Sequence, residues 1–190
     1  SLLAYIGLGS NLNDPKVQIK RALDSLNDNN ETELINASSF YESKPLLDIP
    51  GPNYINAVCK IETKLSAINL LNLCQEIEDN QQRVRELKWG SRTIDLDILL
   101  YGEQVISNKR LSIPHPEAIH RAFVLVPLFE IEPKIKVPLL AYFYFIFFLD
   151  FIFPFSLTNL IPCKILVSRK IHQPSKKIGQ GYYRSTLEGE

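Results

Sequence analysis

The chain alternates short apolar runs with stripes of apolar residues at helical spacing, and each switch of period predicts a new element. Residues 2–8 form an apolar run that predicts a buried strand, broken by Gly9-Ser10-Asn11. Asn13-Asp14-Pro15 supplies a capping side chain and a first-turn proline, the signature of a helix start. Ile19, Ala22, Leu23 and Leu26 then recur at helical spacing, until Asp28-Asn29-Asn30 ends the helix. Residues 33–43 predict a second strand, followed by an irregular loop marked by Pro45, Pro50, Gly51 and Pro52. Residues 54–63 predict a third strand, with Ile55, Ala57, Cys59 and Ile61 on one face and Tyr54 and Asn56 on the other. Ser66 can cap a second helix whose stripe is Ala67, Leu70, Leu71, Cys74, Ile77 and Glu78. A fourth strand follows the Trp89-Gly90-Ser91-Arg92 segment. Ala118, Arg121, Ala122 and Leu125 predict a further helix within 117–129. The order β-α-β-β-α-β predicts an α+β, ferredoxin-like sheet with its helices on one side.

Residues 1–136 read as one domain, and residues 137–190 as an extension of different character. Residues 137–149 hold no charge and are crowded with Phe, Tyr, Ile and Leu; the run resumes after Asp150 and continues around Pro154. A membrane span needs about 20 mostly apolar residues, and Asp150 near the middle would cost roughly 2.5–3.5 kcal/mol on insertion scales. An anchor, a non-homologous extension and the start of a fusion all fit. Asp150, Pro154 and the missing helical period favour the second, so membrane contact of 137–167 is the lesser reading. Truncation after residue 136 is then expected to cost little activity.

The 190 residues suffice for one domain with a substantial core. Lys plus Arg number 21 and Asp plus Glu 21, which argues against a nucleic-acid binder, since such proteins carry a basic excess. Cys59, Cys74 and Cys163 show neither metal-ligand spacing nor a disulfide framework, so a reducing compartment is expected. Cys59 and Cys74 fall at core positions. No signal peptide is expected at the start, and the lack of any methionine fits a fragment or a processed product. A cytoplasmic location is the expectation, with an organellar or membrane-attached one as the alternative.

The fourth strand carries the chemistry. Asp95 and Asp97 stand two residues apart, so both project from one face with Cα atoms about 7 Å apart, while Leu96, Ile98 and Leu100 point the other way. Two adjacent carboxylates repel unless a cation lies between them. Either the pair lies on a solvated edge, or it holds Mg²⁺, which binds through one or two carboxylates plus substrate phosphates. Arg83, Arg85, Lys88 and Arg92 form a local basic cluster suited to phosphate, or simply a solvated basic turn. Gly7-Leu8-Gly9 lacks the Gly-Lys-Ser/Thr ending of a P-loop and reads as a strand-to-helix turn that could approach a phosphate. Asn56 offers donors and an acceptor to a heteroaromatic edge, or is a plain polar strand position.

Taken together, the segments resemble the 6-hydroxymethyl-7,8-dihydropterin pyrophosphokinase family over residues 2–136. The signature Trp89-Gly90-Ser91-Arg92-Thr93-Ile94-Asp95-Leu96-Asp97-Ile98 carries most of the resemblance. Tyr5-Ile6-Gly7-Leu8-Gly9-Ser10-Asn11-Leu12, Ser38-Ser39-Phe40-Tyr41 and Pro52-Asn53-Tyr54-Ile55-Asn56-Ala57 support it, and Arg83-Val84-Arg85, Pro114-His115-Pro116 and Arg121-Ala122-Phe123 follow in family order. The resemblance implies transfer of the terminal diphosphate of ATP to the pterin hydroxymethyl group, with release of AMP, in folate biosynthesis. It implies that Asp95 and Asp97 hold two Mg²⁺ ions and that Arg83 and Arg92 stabilise the transferring group. It places Gln75, Glu78, Arg85, Ile98, Arg110, Ser112, His115 and Arg121 at the nucleotide. Around the pterin it places Ser43, Leu46, Tyr54, Asn56 and Phe123, with Trp89 near both ligands. Lys44 departs from a common proline, one residue is missing between Arg85 and Trp89, and the family's ending gives way to the Phe-rich run. A homologue that binds nucleotide or pterin without turnover is the alternative.

Overall fold

The computed structural model describes residues 1–45, 50–82 and 91–135, and the backbone of 163–168. Strand β1 (Leu2–Ser10) is followed by α1 (Pro15–Asp28), β2 (Thr32–Ala37), β3 (Phe40–Ser43) and β4 (Tyr54–Thr63). Then come α2 (Ala67–Asn80), β5 (Asp95–Tyr101), the short strands β6 (Ile106–Ser107) and β7 (Ser112–Ile113), α3 (Ala122–Ile131) and β8 (Cys163–Ser168). The main sheet runs β5-β1-β4-β3-β8, with β2 on the same side of β4 as β3, and the pairings are antiparallel. This is the expected ferredoxin-like arrangement.

The expected second strand is divided in two. At the break, the Ser38 N–H reaches the Val58 carbonyl (2.9 Å), while the Ser38 hydroxyl accepts from the Val58 N–H (2.9 Å). A side chain thus stands in for a backbone acceptor, and the chain bends without leaving a buried donor unpaired. The first strand does not break at Gly9. It pairs with β4 through Ser10 and with β5 through Gly9, so Gly7 and Gly9 are strand positions rather than a turn.

Asn13 and Asp14 both adopt left-handed backbone (φ 53° and 59°), a conformation these residues tolerate better than most. They turn the chain into α1, where Asp14 caps the Val17 N–H. Ser66 caps α2 by accepting from the Asn69 N–H (3.3 Å). The predicted stripes are buried: Ile19, Ala22, Leu23 and Leu26 of α1 and Leu70, Cys74 and Ile77 of α2 pack on Ala4, Ile6, Leu8, Ala57, Cys59, Ile61, Leu96 and Ile98. Cys59 and Cys74 are buried and free, and desolvation pushes the Cys59 thiol up to about 12. Both therefore act as small apolar residues.

The helices do not all lie on one side. A 3₁₀ turn (Ala118–His120) precedes α3, and α3 packs on the opposite face, where Val124, Leu125 and Leu128 meet Tyr5, Val58, Leu99 and Leu100. Leu100 is on this face, contrary to the alternation expected for β5. The β1–β5 register shifts between Tyr5 and Ile6, with Tyr5 opposite Leu100 and Ile6 opposite Ile98. This bulge inserts Leu99 and reverses the phase of the residues after it. α3 is held down by Glu130, whose carboxylate accepts from the Ser39 N–H, the Ser39 hydroxyl (2.8 Å) and the Tyr41 hydroxyl (2.8 Å).

β8, from beyond residue 136, pairs with the outer edge of β3, Ser43 opposite Cys163. No helix among the described residues is long and apolar enough to cross a membrane. The Phe-rich run of 137–161 lies outside the described residues.

Candidate active site

α3 covers only part of its face of the sheet. Beside it a cavity of about 720 Å³, counting its open mouth, is left over the ends of β1, β4 and β5. The strand register builds its floor. Asp95 of β5, Gly9 of β1, Asn56 of β4 and Tyr41 of β3 form one row across the sheet, and Asp97, Gly7 and Val58 form the row two residues along. The period-two geometry that buries Leu96 and Ile98 below therefore lifts both acids into the cavity above. Gly7 and Gly9 lie between the acids and Asn56, so no side chain fills the middle of the floor. A Cβ on Gly7 would press on Leu99 at 3.3 Å, and one on Gly9 would lie 3.5 Å from Asn56 Oδ1.

Asp97 is 41% exposed at its side chain and Asp95 19%. Arg92 forms an ion pair with Asp95. Burial opposes the guanidinium charge, but Asp95 and the Tyr54 hydroxyl outweigh it and hold Arg92 firmly protonated. The strand entrance that carries Arg92 is fixed by Asn11, which is 4% exposed. Asn11 Oδ1 accepts from the Arg92 N–H (2.8 Å), and its amide donates to the Pro52 carbonyl (3.1 Å) and Ser91 Oγ (3.2 Å).

His115 follows a cis Ile113–Pro114 peptide and is tied to β5 by its N–H on the Leu99 carbonyl (3.0 Å). Its Nδ1 accepts from the Glu117 N–H (3.2 Å), which leaves Nε2 to carry the proton and face Asp97 Oδ1 at 4.0 Å. Burial, then the nearby Arg121, lower the imidazole pKa below 6.5. His115 is therefore neutral at pH 7, and this approach is not an ion pair.

Of the residues expected at the site, Ser43, Tyr54, Asn56, Arg92, Asp95, Asp97, Arg121 and Phe123 line this one cavity, and His115 borders it. Arg121 lies against the Phe123 ring, 6.0 Å from its centroid. A second group stands apart. Arg110 donates to Asn72 (2.8 Å) and Gln75 (3.3 Å), Ser112 is exposed, and Glu78 is buried, accepting from the Leu96 N–H (2.8 Å). Ile98 is buried among the helices. Leu46, Arg83, Arg85 and Trp89 lie outside the described residues. Lys44 also lines the cavity, at the position the resemblance sets beside the pterin pocket; Leu99 and Val124 line it and were not expected there, and the two glycines were expected in a turn. The alternation of Gly7 and Gly9 with Ile6 and Leu8 was the available signal.

A sheet-floored cavity with two acids at one end and an amide and aromatic residues at the other has the form of a small-molecule site. The model of the 7,8-dihydro-6-hydroxymethylpterin-pyrophosphokinase family matches residues 5–133, and the chain belongs to that family. It is 53% identical over 137 residues to the 2-amino-4-hydroxy-6-hydroxymethyldihydropteridine pyrophosphokinase of Haemophilus influenzae, covering 72% of this chain and 86% of that protein. The enzyme of the same name from Pseudomonas aeruginosa is 46% identical over 134 residues, covering 70% and 83%. Among solved structures, the wild-type Plasmodium falciparum HPPK-DHPS protein solved with pterin and p-hydroxybenzoate matches with a TM-score of 0.55 at 16% identity, covering 71% of this chain and 40% of that one. That likeness speaks for the fold alone.

Proposed function

We propose that the cavity aligns ATP with the hydroxymethyl group of 6-hydroxymethyl-7,8-dihydropterin, and that Asp95, Asp97 and Arg92 neutralise the diphosphate as it moves. The chain is a pyrophosphokinase of folate biosynthesis, using ATP as co-substrate and releasing AMP. The observation that carries the assignment of roles is the row Asp95–Gly9–Asn56, which sets anion chemistry and ring recognition on one floor, with bare backbone between.

The donor set suits Mg²⁺. Two carboxylates project from one strand face, open to ligands from the cavity, and no group of three or more His, Cys, Asp and Glu suited to a metal occurs among the described residues. A hard cation that completes its shell with water and phosphate oxygens fits two carboxylates better than zinc would. Asp95 and Asp97 would hold it, and two ions fit the charge of a triphosphate. Bound there, Mg²⁺ supplies charge neutralisation to the phosphates.

The protein side of the reaction is positioning. Phe123 and Tyr54 flank the ring site, and Asn56 reads the ring edge. Arg92 reaches from Asp95 toward Tyr54 and so stands between the ring end and the acid end. Its planar fork matches a phosphate. The hydroxyl attacks the β-phosphorus, the bond to the α-phosphate oxygen breaks, and AMP departs. No side chain needs to form a covalent bond, so rate comes from alignment and charge complementarity. Glu78 and Gln75, beyond the β5 edge, would serve the adenosine end of ATP. For the chemistry, the functional unit is 1–136, since every described cavity residue lies before residue 125.

The deciding experiment is an AMP-release assay with ATP, the pterin and MgCl₂. Turnover that requires all three and is lost with EDTA is the expected result. Tight binding of both substrates with no AMP would leave a binding protein and overturn the enzymatic reading.

A further inference from the structure

β3 is short, and β4 meets it along Tyr41, Glu42 and Ser43, which lie opposite Asn56, Ile55 and Tyr54. Its last residue belongs to the cavity. Ser43 lines the wall, and Ser43 Oγ accepts from Asn56 Nδ2 (2.9 Å), which also donates to the Tyr41 carbonyl (3.2 Å). The placement of Asn56 over the floor therefore depends on where β3 lies. Within residues 1–136, β3 has β4 on one side and no described strand on the other. A short strand paired on one side opens locally more readily than one paired on both, and its free edge invites another strand.

β8 removes that edge. Glu42 and Ser43, already opposite Ile55 and Tyr54 of β4, lie opposite Lys164 and Cys163 of β8, and Phe40 lies opposite Ser168. β3 thus becomes an interior strand at the residues that adjoin the cavity. The segment Cys163-Lys164-Ile165-Leu166-Val167-Ser168 suits the task. It carries Ile and Val, which favour strands. Its register sets basic Lys164 opposite acidic Glu42, a combination that directly opposed strand positions favour. β2, on the same side of β4, has no such cover among the described residues. The added strand falls on the part of this side that carries the cavity wall.

Resting on the pyrophosphokinase reading, we propose that residues 163–168 serve the site: their backbone closes the outer edge of β3 by strand addition within the chain, and so holds Ser43 and Asn56 in place for the pterin. They are positioning residues that act through β3, since every described residue lining the cavity lies earlier in the chain. Asp95 and Asp97 stand on β5, at the opposite end of the sheet, so the effect falls on pterin affinity and spares ATP. The extension is then dispensable for turnover at saturating pterin, but not for binding the pterin.

Hydrogen exchange on the full-length wild type tests the docking and needs no ligand. Residues 163–168 should be protected together with 40–43; exchange of 163–168 at the rate of an unstructured chain overturns the inference. Calorimetry on full-length Cys163→Pro/Lys164→Pro tests the function. Neighbouring N–H groups of a strand point to opposite sides, so one of the two prolines removes a donor facing β3. Exchange of 40–43 should quicken at least about tenfold, the signature of local opening. The Kd of 6-hydroxymethyl-7,8-dihydropterin, titrated with magnesium and a non-hydrolysable ATP analogue present, should rise about three- to tenfold, and that of the analogue alone should stay within about twofold. Cys163→Thr/Lys164→Thr keeps both N–H groups and should bind as the wild type does. If the proline variant does not fold, Cys163→Gly/Lys164→Gly, which weakens the strand by its low propensity, takes its place with the same expectations. The inference is overturned if the weakened strand leaves the exchange of 40–43 unchanged or pterin affinity within about twofold of wild type, or if both ligands weaken equally. It is also overturned if the threonine variant loses as much as the proline variant, since side chains rather than backbone would then matter. Wild-type AMP release separates the two readings. An active wild type with an indifferent β8 removes only the role of β8, whereas an inactive wild type removes the pyrophosphokinase reading and leaves the exchange result standing.

Discussion

The two faces of the sheet are made by the same strands and do opposite things. On the closed face, Ala4, Ile6 and Leu8 of β1, Ala57, Cys59 and Ile61 of β4 and Leu96 and Ile98 of β5 meet two helices and exclude water. On the other, the intervening positions are Gly7 and Gly9, Asn56, and Asp95 and Asp97, and no helix among the described residues covers them. One face therefore stabilises the fold through burial, at roughly 25 cal/mol per Å² of apolar surface. The other keeps two neighbouring carboxylates, Asp95 of them held by Arg92, which the fold tolerates because the closed face anchors the strands. Stability and function are separable here strand by strand, at a period of two residues.

Asp97→Ala breaks the open face hardest. Turnover should fall by at least about a thousandfold, since charge stabilisation of the transferring group is lost. The metal-free melting temperature should hold or rise, because a like charge is removed. AMP release and thermal denaturation measured on the same preparation check both halves, and retained turnover would contradict the metal assignment.

Leu70→Ala is the mirror case. Leu70 is fully buried between α2 and the sheet. Its truncation should destabilise the protein by about 2–5 kcal/mol in urea denaturation, while the folded fraction keeps its affinity for the pterin. A selective loss of pterin affinity would mean that the two faces are coupled.

Gly9→Ala sharpens the contrast. The added Cβ meets Asn56 Oδ1 at an ordinary 3.5 Å, so stability should change by under about 1 kcal/mol. The methyl group occupies the floor between ring and acids, so pterin affinity should drop several-fold. Calorimetry of pterin binding beside a denaturation curve decides it, and loss of stability without loss of affinity would contradict the open-floor reading.

The smallest effect lies at the far end of the sheet, where Glu132 accepts from Lys60 (2.6 Å) and Tyr5 (3.0 Å). Those two hydrogen bonds lower the Glu132 pKa below its ordinary 4.5. A carboxylate whose folded pKa is depressed adds stability that is fully present above 4.5 and is lost as pH falls from there through the lower folded pKa. The pair is partly solvated, so its contribution is below about 1 kcal/mol. Glu132→Gln should flatten the stability curve below about pH 4.5 and leave AMP release unchanged; an unaltered acid limb would show that the pair contributes nothing.

Much of this was legible in the chain. Capping residues mark both main helices, because Asp14 and Ser66 act through bonds to their own neighbours. The two acids could be placed on one face from spacing alone, since alternation is a local property of any strand. The bulge at Leu99, the break at Ser38–Ser39 and the packing of α3 on the second face were not legible, because each depends on what a distant strand presents. The pairing of β8 with β3 also escaped, as the chain before it carried no strand signal.

The sequence by itself determined the two main helices, the strands that carry the site, the signature around Asp95 and Asp97, and the family. Periodicity and capping are local physics, and motif residues are read in order along the chain. Only tertiary structure decided that Gly7 and Gly9 floor a cavity, and that the Asn56 amide hydrogens are taken by Tyr41 and Ser43. Those facts follow from register and from hydrogen bonds between residues far apart in sequence. Nothing in a one-dimensional pattern states which strand lies beside which.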